Sequence, residues 1–481
     1  MMKIAFVNQP FDTILPPFQS SVGACTYGVL PYLEQCCMVV VYGLEDANRD
    51  RSTNGFGRNV SFRFFPSTQA DRLINLLRTK SSKLVQFSSP MSTSASTFPA
   101  FGRQVAMDLQ KEQCDVIHIQ HSSQYVPIIR EFNPNAKIVL HMHAEWFSQS
   151  RFDVLEGRLR GVDLLTCVSN HVAEKTKRDF PSIADRCETT YNGIDPKLEF
   201  NREKDYGAAR RRKEKRILFA GAVSPHKGPH VLLDAFNIVA RGFPDVRLDF
   251  VGGLSNYPLE ECFELTDRPL IKAVAPFYAK NRFERLKASL SIAARDAGTY
   301  QSYLRTKLPP EVAAKVSFQG QIGVRQDLID RYYDADVLAF PSIWDEGFPL
   351  PALEAMAAGL PVVGTRPAVS ETIEDQRSGI LVDKNDANGM AEALLRVLQD
   401  DDLRDEMGRA ARRRVLEHFT WEKVAERMHT RYAALCDVSA LEPTEPRKNR
   451  RFQIAESGRV TARETDRGNL GCHQKTDNRG R

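Results

Sequence analysis

Short runs of consecutive apolar residues recur along this chain of 481 residues, and polar, helix-length segments separate them. The runs are continuous rather than alternating, which is typical of parallel strands covered on both faces. They form two series, which predict an α/β protein with two doubly wound, Rossmann-like domains facing each other across a cleft. The first series comprises residues 3–8, 37–42, 116–119, 137–141 and 164–168, and the second comprises 216–220, 246–251, 316–319, 335–340 and 360–364.

Changes in composition mark the boundaries of these domains. Residues 1–200 are predicted to form the N-terminal domain, and residues 201–215, rich in Arg and Lys, a charged linker. The C-terminal domain is predicted over 216–436, with an insertion of irregular composition at 254–314. The last helix of this domain lies where it can cross back to the N-terminal domain.

The formal net charge of +5 resides mostly in the last stretch of the chain. Residues 441–481 hold ten Lys or Arg and six Asp or Glu, so this stretch carries +4 and the rest of the chain +1. With almost no large apolar side chains, the basic tail is predicted to be disordered. Because no element of the body concentrates basic charge, the composition argues against a nucleic-acid partner.

The nine cysteines are scattered, with no Cys-x-x-Cys and no zinc spacing, although Cys36 and Cys37 are adjacent. An odd number of cysteines without a framework favours a reduced, cytoplasmic protein. The first apolar run is too short for a signal peptide, and no run approaches the roughly 18 apolar residues of a membrane span. Surface attachment stays open, because residues 71–86 mix Leu, Ile and Val with four basic residues, although a helix with one buried side explains the same pattern. Those basic residues are Arg72, Arg78, Lys80 and Lys83.

The densest chemical signal is the segment that reads FPSIWDEGFPLPALEAMAAGLPVVG from Phe340 onward. A strand is predicted to end at Phe340, and a helix to begin near residues 349–351 and end at Gly359. The start of a helix offers unpaired N–H groups and a positive dipole end, which suit a diphosphate. Because the two prolines lack N–H groups, the predicted donors are the amides of Phe348 and Leu350.

Three further residues of this segment suit a sugar nucleotide. Gly347 would let an anion approach the backbone closely. Glu346 and Glu354, seven residues apart, would direct two carboxylates at one cleft, where each can accept hydrogen bonds from adjacent hydroxyls. Taken singly, each glutamate is as well explained as a helix-dipole partner or an exposed helix residue.

This Glu-x7-Glu segment resembles that of the GT-B-fold glycosyltransferases, specifically the large retaining group 4. The resemblance runs from about residue 3 to 436 and is dense over 316–432. It implies that Glu354 binds the ribose of the donor nucleotide and that Glu346 lies beside the transferred sugar. It also implies that Lys227, in the sequence GAVSPHKG, holds the donor diphosphate.

The chain departs from the family pattern near that lysine. The family usually has an arginine where this chain has Ala222 and a glutamate where it has His226. The glycine pair usual before Glu371 is replaced by alanine and valine. Loss of a cation beside a leaving diphosphate costs several kcal/mol of transition-state stabilisation, in the range of about 3 to 4 for one deleted group. The alternative to an enzyme is therefore a catalytically lapsed, nucleotide-binding scaffold, unless His226 or Arg366 replaces the missing charge.

Two candidates lie in the first, acceptor-side domain. Gly23 follows the first strand in a loop that resembles the family's glycine-bearing loop, where the backbone approaches the diphosphate, and a plain turn glycine fits equally well. His141 and His143 alternate along a strand and would share one face. The family keeps a histidine near the reacting sugar, and His143 is preferred because it lies nearer the strand end.

The predicted activity is transfer of a hexosyl or related group from a nucleotide diphosphate sugar to an acceptor hydroxyl, with retention of configuration. No metal and no cofactor are predicted. Asp334 and Asp336 have the spacing of a metal-binding Asp-x-Asp but lead directly into a buried strand, so they are interpreted as a helix end and a strand start. A nicotinamide dehydrogenase is disfavoured, because no Gly-x-Gly-x-x-Gly follows a first strand. The sequence does not specify the sugar, the base, the acceptor or the oligomeric state.

Overall fold

Two fully parallel sheets organise the chain in a computed structural model. The structure describes residues 1–16, 19–48, 56–82, 94–145, 147, 151–254, 268–274, 277 and 300–441. Most of the predicted insertion, the predicted tail beyond residue 441 and residues 83–86 of the predicted surface helix lie outside the described residues.

The first sheet has seven strands in the order β3-β2-β1-β4-β5-β6-β7. Its central strand pairs on both sides in parallel register, with Ile4 beside Val39 and beside Val116. This order is that of a doubly wound sheet, as the sequence predicts. The strands are β1 (Met2–Val7), β2 (Cys37–Leu44), β3 (Val60–Phe65), β4 (Val116–Gln120), β5 (Lys137–Met142), β6 (Leu164–Cys167) and β7 (Cys187–Thr189).

The described helices of this half connect successive strands. Two of them begin at a capping serine: the Ser20 hydroxyl accepts from an amide of the first turn of α1, and the Ser169 hydroxyl does the same for α7. The helices are α1 (Ser21–Leu33), α2 (Glu45–Asn48), α3 (Gln69–Ser82), α4 (Pro99–Glu112), α5 (Val126–Phe132), α6 (Phe152–Leu159) and α7 (Asn170–Asp179).

The second sheet has six strands in the order β10-β9-β8-β11-β12-β13 and is again parallel throughout. It repeats the winding of the first sheet, so the two predicted α/β domains are confirmed. The strands are β8 (Lys215–Ala220), β9 (Val246–Val251), β10 (Val316–Phe318), β11 (Val337–Phe340), β12 (Val362–Thr365) and β13 (Gly379–Val382).

The described helices of the second half are numbered here in chain order. They are α8 (Tyr206–Arg211), α9 (Pro229–Gly242), α10 (Arg268–Val274), α11 (Tyr300–Thr306), α12 (Pro310–Ala313), α13 (Arg325–Asp334), α14 (Leu350–Ala357), α15 (Ala387–Gln399), α16 (Asp401–His418) and α17 (Trp421–Leu441).

Burial explains why the central strands carry continuous apolar runs. All residues of β4 and of β11 are buried, because helices cover both faces of each sheet. The strand β3 lies at a sheet edge and alternates between half-buried and exposed side chains, so it gives no continuous apolar run. The central strands of each sheet could therefore be predicted from the sequence, and β3 could not.

The predicted linker is more ordered and more closely packed than its composition suggests. It contains α8, and Lys204 is buried, with its ammonium group donating to the carbonyls of Tyr333 and Ala335. Burial lowers the pKa of Lys204 to about 8. The predicted linker thus packs on the second domain, because long basic side chains can bury their stems while carbonyls and carboxylates of that domain bind their charged ends.

The last helix, α17, packs on the first sheet although it follows the second in the chain. Trp421, Val424 and Met428 are buried in the same cluster as Ile4 and Phe6 of β1. A Cβ atom at Gly28 of α1 would come within 2.3 Å of the Trp421 indole nitrogen, so the two helices touch closely. The end of the described chain thus stabilises the first domain.

Among the described helices, none combines the length and the apolar character that crossing a bilayer requires.

Candidate active site

The loop that joins β11 to α14 lies at the carboxyl end of the second sheet, where the sequence predicts the donor site. Pro349 takes the N-cap position of α14, and Leu350 is its first residue. Gly359 stops the helix in the left-handed region, at φ +80°, which favours glycine. The start and the end of this helix therefore lie where the sequence predicts them.

Glu346 of this loop forms an ion pair with Lys227, which lies after β8. The Lys227 ammonium group lies 2.6 Å from Oε1 and 2.8 Å from Oε2 of Glu346. The Ser342 hydroxyl donates to the same carboxylate at 2.8 Å. Lys227 ends a short 3-10 turn that follows β8, so two neighbouring strands bring the pair together. The glutamate is 9% exposed, so the pair is largely shielded from water.

Gly347 brings this loop against the first domain. A Cβ atom at this position would lie 2.1 Å from the His143 carbonyl oxygen and 2.7 Å from a Val168 methyl group. The close approach of two backbones therefore explains the glycine, and its predicted role in donor binding stays a prediction. The same contact places the predicted donor loop beside the predicted catalytic histidine.

Phe348 fixes the loop further. Its carbonyl accepts a hydrogen bond from the Asn192 amide at 2.9 Å, and its ring packs on Tyr191 and Phe419 with centroid distances of 4.8 and 5.1 Å. Leu350 packs against the apolar clusters of both domains. These two residues therefore anchor the start of α14, and the roles of their amides in donor binding stay a prediction.

Glu354 lies in a separate polar cluster one turn into α14. Its carboxylate accepts from the Tyr332 hydroxyl at 2.6 Å and pairs with the Arg325 guanidinium at 2.7 Å. Arg325 also holds Glu199, from the end of the first half, at 2.8 Å. Burial and the neighbouring Glu354 raise the pKa of the Tyr332 hydroxyl, so the tyrosine stays a donor at neutral pH. Neither Tyr332 nor Arg325 belongs to a recognisable sequence motif, so their contacts with Glu354 could not be predicted from the sequence.

His143 directly follows strand β5 and bonds to the neighbouring strand. Its Nε2 lies 2.7 Å from the Gln120 amide oxygen, which makes this nitrogen the donor. Its ring centroid lies 4.4 Å from that of His141, so the two histidines share one face as predicted. Burial lowers the pKa of His143 well below its usual value. His143 is therefore a neutral group at physiological pH.

Gly23 occupies the first turn of α1. Its amide donates to the Ser20 hydroxyl at 3.0 Å, the N-cap bond of the helix, and a Cβ atom would lie 2.1 Å from the Thr13 carbonyl oxygen. A structural reason, close packing of α1 on the preceding loop, therefore explains the glycine here. Its predicted contact with a diphosphate stays a prediction.

Neither candidate for the missing arginine supplies a free positive charge. His226 is buried beside the Trp344 ring, and burial with the adjacent Lys227 lowers its pKa to about 3, so it is neutral at pH 7. Arg366 pairs with Asp375 at 2.9 Å and with Asp383 at 3.5 Å. Of Lys227, His226 and Arg366, Lys227 is therefore the one that brings a positive charge to the loop.

A contact that the sequence did not reveal joins the domains at Glu371. Its carboxylate accepts from the backbone amides of Asn170 and His171, at 2.8 and 2.7 Å, and from the Tyr191 hydroxyl at 2.9 Å. A residue of the second domain thus binds the positive end of α7 in the first. Only the spatial proximity of two distant segments creates this contact.

The Asp-x-Asp sequence has a structural role. Asp336 is fully buried and accepts from the Arg216 amide at 2.7 Å and from the Arg212 guanidinium at 2.8 Å. Asp334 is the last residue of α13, and β11 starts at Val337. The interpretation as a helix end and strand start is confirmed.

Comparisons with known proteins agree with this architecture. The model of Glycosyl transferases group 1 matches residues 201–414, and the model of Glycosyltransferase Family 4 matches residues 64–198. Spore coat protein SA of Bacillus subtilis is 26% identical over 341 residues, which are 68% of this chain and 80% of that protein. A D-inositol 3-phosphate glycosyltransferase of Corynebacterium urealyticum is 32% identical over 234 residues, 48% of this chain and 45% of that protein.

A solved structure extends the likeness to nearly the whole chain. The Anabaena protein HepE in complex with UDP-glucose matches 90% of this chain and 100% of its own, with a TM-score of 0.59 and 16% identity. At 16% identity the match shows a shared fold and does not show a shared function. The group 1 and family 4 models match the two halves of this chain in turn, and the solved structure shares its two-sheet architecture, so the chain is a glycosyltransferase of the GT-B type.

Proposed function

We propose that this protein transfers a glycosyl group from a nucleoside diphosphate sugar to an acceptor hydroxyl, with retention of anomeric configuration. The observation that carries the proposal is the ion pair between Lys227 and Glu346, which lies at the carboxyl end of the second sheet. Gly347, next to Glu346 in the chain, lies against the backbone carbonyl of His143 of the first domain. A cation and an anion thus lie close to the place where the two domains touch.

In this proposal Lys227 stabilises the leaving diphosphate. Negative charge grows on the diphosphate as the glycosyl bond breaks, so a nearby ammonium group binds the transition state more strongly than the ground state. Phosphate oxygens would take Lys227 from Glu346, and the freed carboxylate would accept hydrogen bonds from the sugar hydroxyls. One exchange of partners would then couple donor binding to the orientation of the sugar.

His143 suits the acceptor side because it is neutral. Burial keeps its imidazole uncharged, and Gln120 fixes the ring by accepting from Nε2. A neutral imidazole can orient a hydroxyl without adding positive charge to the acceptor side. In this proposal a departing phosphate oxygen helps to take the acceptor proton, and retention of configuration follows from attack on the same face of the sugar.

Glu354 is the proposed ribose ligand. Its carboxylate has two oxygens, and each has capacity beyond its present partner, because an ionised carboxylate offers about four lone-pair positions. Tyr332 and Arg325 hold it in place from one side. For the donor we take UDP-glucose as the first candidate, since HepE was solved with that compound, and a hexose as the transferred group.

A nucleotide-binding scaffold without turnover is the second candidate function. It is favoured by Ala222, where the family usually has a second cation, and by the neutral state of His226. A panel of UDP, GDP and ADP sugars separates the two candidates. An enzyme releases nucleoside diphosphate in the presence of an acceptor, whereas a scaffold gains thermal stability from the nucleotide and releases none.

The stereochemistry is tested separately on the product. Proton NMR of the first product formed from an α-linked donor should show an α-glycoside, and a β-glycoside would refute retention. If no nucleotide sugar changes the melting temperature and none is turned over, both candidate functions are wrong.

We further propose that the protein resides in the cytoplasm and contacts the inner face of the membrane through α3. Leu73, Leu76 and Leu77 of this helix are 55%, 52% and 57% exposed. Asp71 attaches the helix to the first domain by accepting from the amides of Ala100 and Phe101. An apolar row on a basic helix suits an acidic lipid surface.

A further inference from the structure

Two cysteines and a histidine meet on the first domain, on the part of its surface that α17 covers. Cys36 and Cys37 lie where the turn after α1 enters β2, and His429 lies on α17. One ligand atom from each residue lies within 4.8 Å of the other two. Segments from nearly opposite ends of the described chain thus supply two thiols and an imidazole to one place.

The separation of the two sulfur atoms fits a single metal ion. The Sγ atoms of Cys36 and Cys37 lie 3.7 Å apart. A tetrahedral zinc with Zn–S bonds of about 2.3 Å holds two sulfur ligands about 3.8 Å apart. The thiols therefore already have the spacing that one ion needs, and a modest rotation of the His429 side chain would complete a three-ligand set.

We propose that Cys36, Cys37 and His429 bind a thiophilic divalent cation of the Zn²⁺ class, at a site distinct from the donor site. Thiolate and imidazole are the ligands that zinc prefers. Cys37 is buried and Cys36 is exposed, so water would complete the coordination from the side of Cys36. Binding releases two thiol protons to solvent, and two thiolates neutralise the cation.

The site would fasten α17 to the first domain. Met428, adjacent to His429, packs in one apolar cluster with Cys37 and Leu33. A cation bound only by the folded chain raises its stability, because the unfolded chain does not hold the three ligands together.

The test uses the full-length, fully reduced protein with Zn²⁺ in competition with a chromophoric chelator, and with Co²⁺ as a spectroscopic probe. We expect one equivalent of Zn²⁺ per chain, a thiolate-to-cobalt charge-transfer band, and a higher melting temperature with metal. Cys36→Ser and His429→Gln should each weaken binding at least tenfold. Cys436→Ser is the matched control, because Cys436 is a partly exposed thiol on the same helix, and it should bind as the unaltered protein does.

Three results would overturn the proposal. The first is that the reduced protein binds neither cation. The second is that binding persists in both Cys36→Ser and His429→Gln, because the ion would then be bound elsewhere. The third is binding that is lost in Cys36→Ser but unchanged in His429→Gln, which would remove the histidine from the site. Intact far-UV circular dichroism in each variant shows that lost binding is not lost folding.

Discussion

The ammonium nitrogen of Lys227 lies 2.6 Å from Oε1 of Glu346, so the two residues assigned to opposite ends of the donor's glycosyl-phosphate bond neutralise each other in this structure. The burial of this carboxylate is tolerated mainly because it is paired with a cation. Removing one partner leaves the other as an unpaired buried charge, which destabilises the folded protein. The pair therefore has a structural role in addition to its proposed catalytic one. Experiments on either residue must separate these roles.

Replacement of Lys227 by alanine should reduce kcat about 100- to 1000-fold, the usual effect of deleting one group that stabilises transition-state charge. Steady-state kinetics and thermal denaturation measure the two roles side by side. Lys307→Ala is the control, since Lys307 also forms an ion pair of 2.6 Å, with Asp234, and has no proposed role in catalysis. Equal loss of activity in both variants would mean that ion-pair loss alone explains the effect.

Glu354→Gln should weaken binding of the nucleoside diphosphate about tenfold or more, because a hydrogen bond to a charged group contributes roughly 1.5 to 3 kcal/mol. Calorimetric titration with UDP and with its deoxyribose analogues gives a direct test. The unaltered protein should discriminate against the analogues that lack a ribose hydroxyl, and the Gln variant should not. Unchanged discrimination in the variant would show that Glu354 does not contact the ribose.

Tyr332→Phe serves as the companion variant to that experiment. It removes the 2.6 Å donor to Glu354 but leaves the carboxylate and Arg325 in place. Nucleotide affinity should fall less than in Glu354→Gln, and discrimination between ribose and deoxyribose should persist.

A cluster of neutral histidines should make the protein sensitive to acid. Burial lowers the pKa of His118 and of His121 to about 3, and lowers those of His141 and His143 well below the ordinary value. In the unfolded chain a histidine binds a proton near pH 6.5, whereas these do not in the folded state. Their contribution is therefore complete above about pH 6.5 and is lost as the pH falls from there toward 3, by about 1.4 kcal/mol per histidine per pH unit.

Urea denaturation at pH 7, 6 and 5 measures this slope. The slope of the unfolding free energy against pH reports how many protons the chain takes up on unfolding. His118→Gln should lower that number by close to one, because the variant lacks the imidazole that binds the proton. His418→Gln, at an exposed position on α16, should leave the slope as it is. A slope that is the same in all three proteins would contradict the assignment.

The fold was more predictable than the site because its signal is local. Continuous apolar runs indicate strands buried on both faces, and each of the ten predicted strands is present. The three strands without a prediction are β3, whose edge position gives an alternating pattern, and the short strands β7 and β13. The strand β7 reads Cys-Glu-Thr and contains no apolar run, whereas β13 reads Gly-Ile-Leu-Val and was missed although other strands of its length were predicted.

The site was predictable only where residues belong to a motif. Glu346, Gly347 and Glu354 lie in one segment with a known spacing, and Lys227 lies in another. Tyr332, Arg325 and Glu371 acquire their contacts only when distant segments fold together. The same reason hides the cluster of Cys36, Cys37 and His429, whose sequence separation matches no metal-binding spacing.

Gly347→Ala should impair catalysis through the contact between the domains. The new Cβ atom would lie 2.1 Å from the His143 carbonyl oxygen, so the loop or the strand end must move by about an ångström, and such misplacement costs roughly 100-fold in rate. Gly157→Ala, inside α6 with nothing within 4 Å of the added carbon, is the control and should raise helix stability by about 1 kcal/mol. Full activity of Gly347→Ala would mean that the observed contact does not exist during turnover.

The exposed leucines of α3 give the last prediction. Transfer of a leucine side chain from water to an apolar phase is worth roughly 1.5 to 3 kcal/mol, so replacing Leu73, Leu76 and Leu77 by serine should weaken binding to phosphatidylglycerol vesicles by well over tenfold. Leu198→Ser is the control, since Leu198 is 71% exposed but lies outside any such row. Co-sedimentation should show binding of the unaltered protein to acidic vesicles and much less to neutral ones, because the helix also carries basic residues. Equal recovery of the unaltered protein and the triple variant with the vesicles would mean that α3 does not touch the lipid.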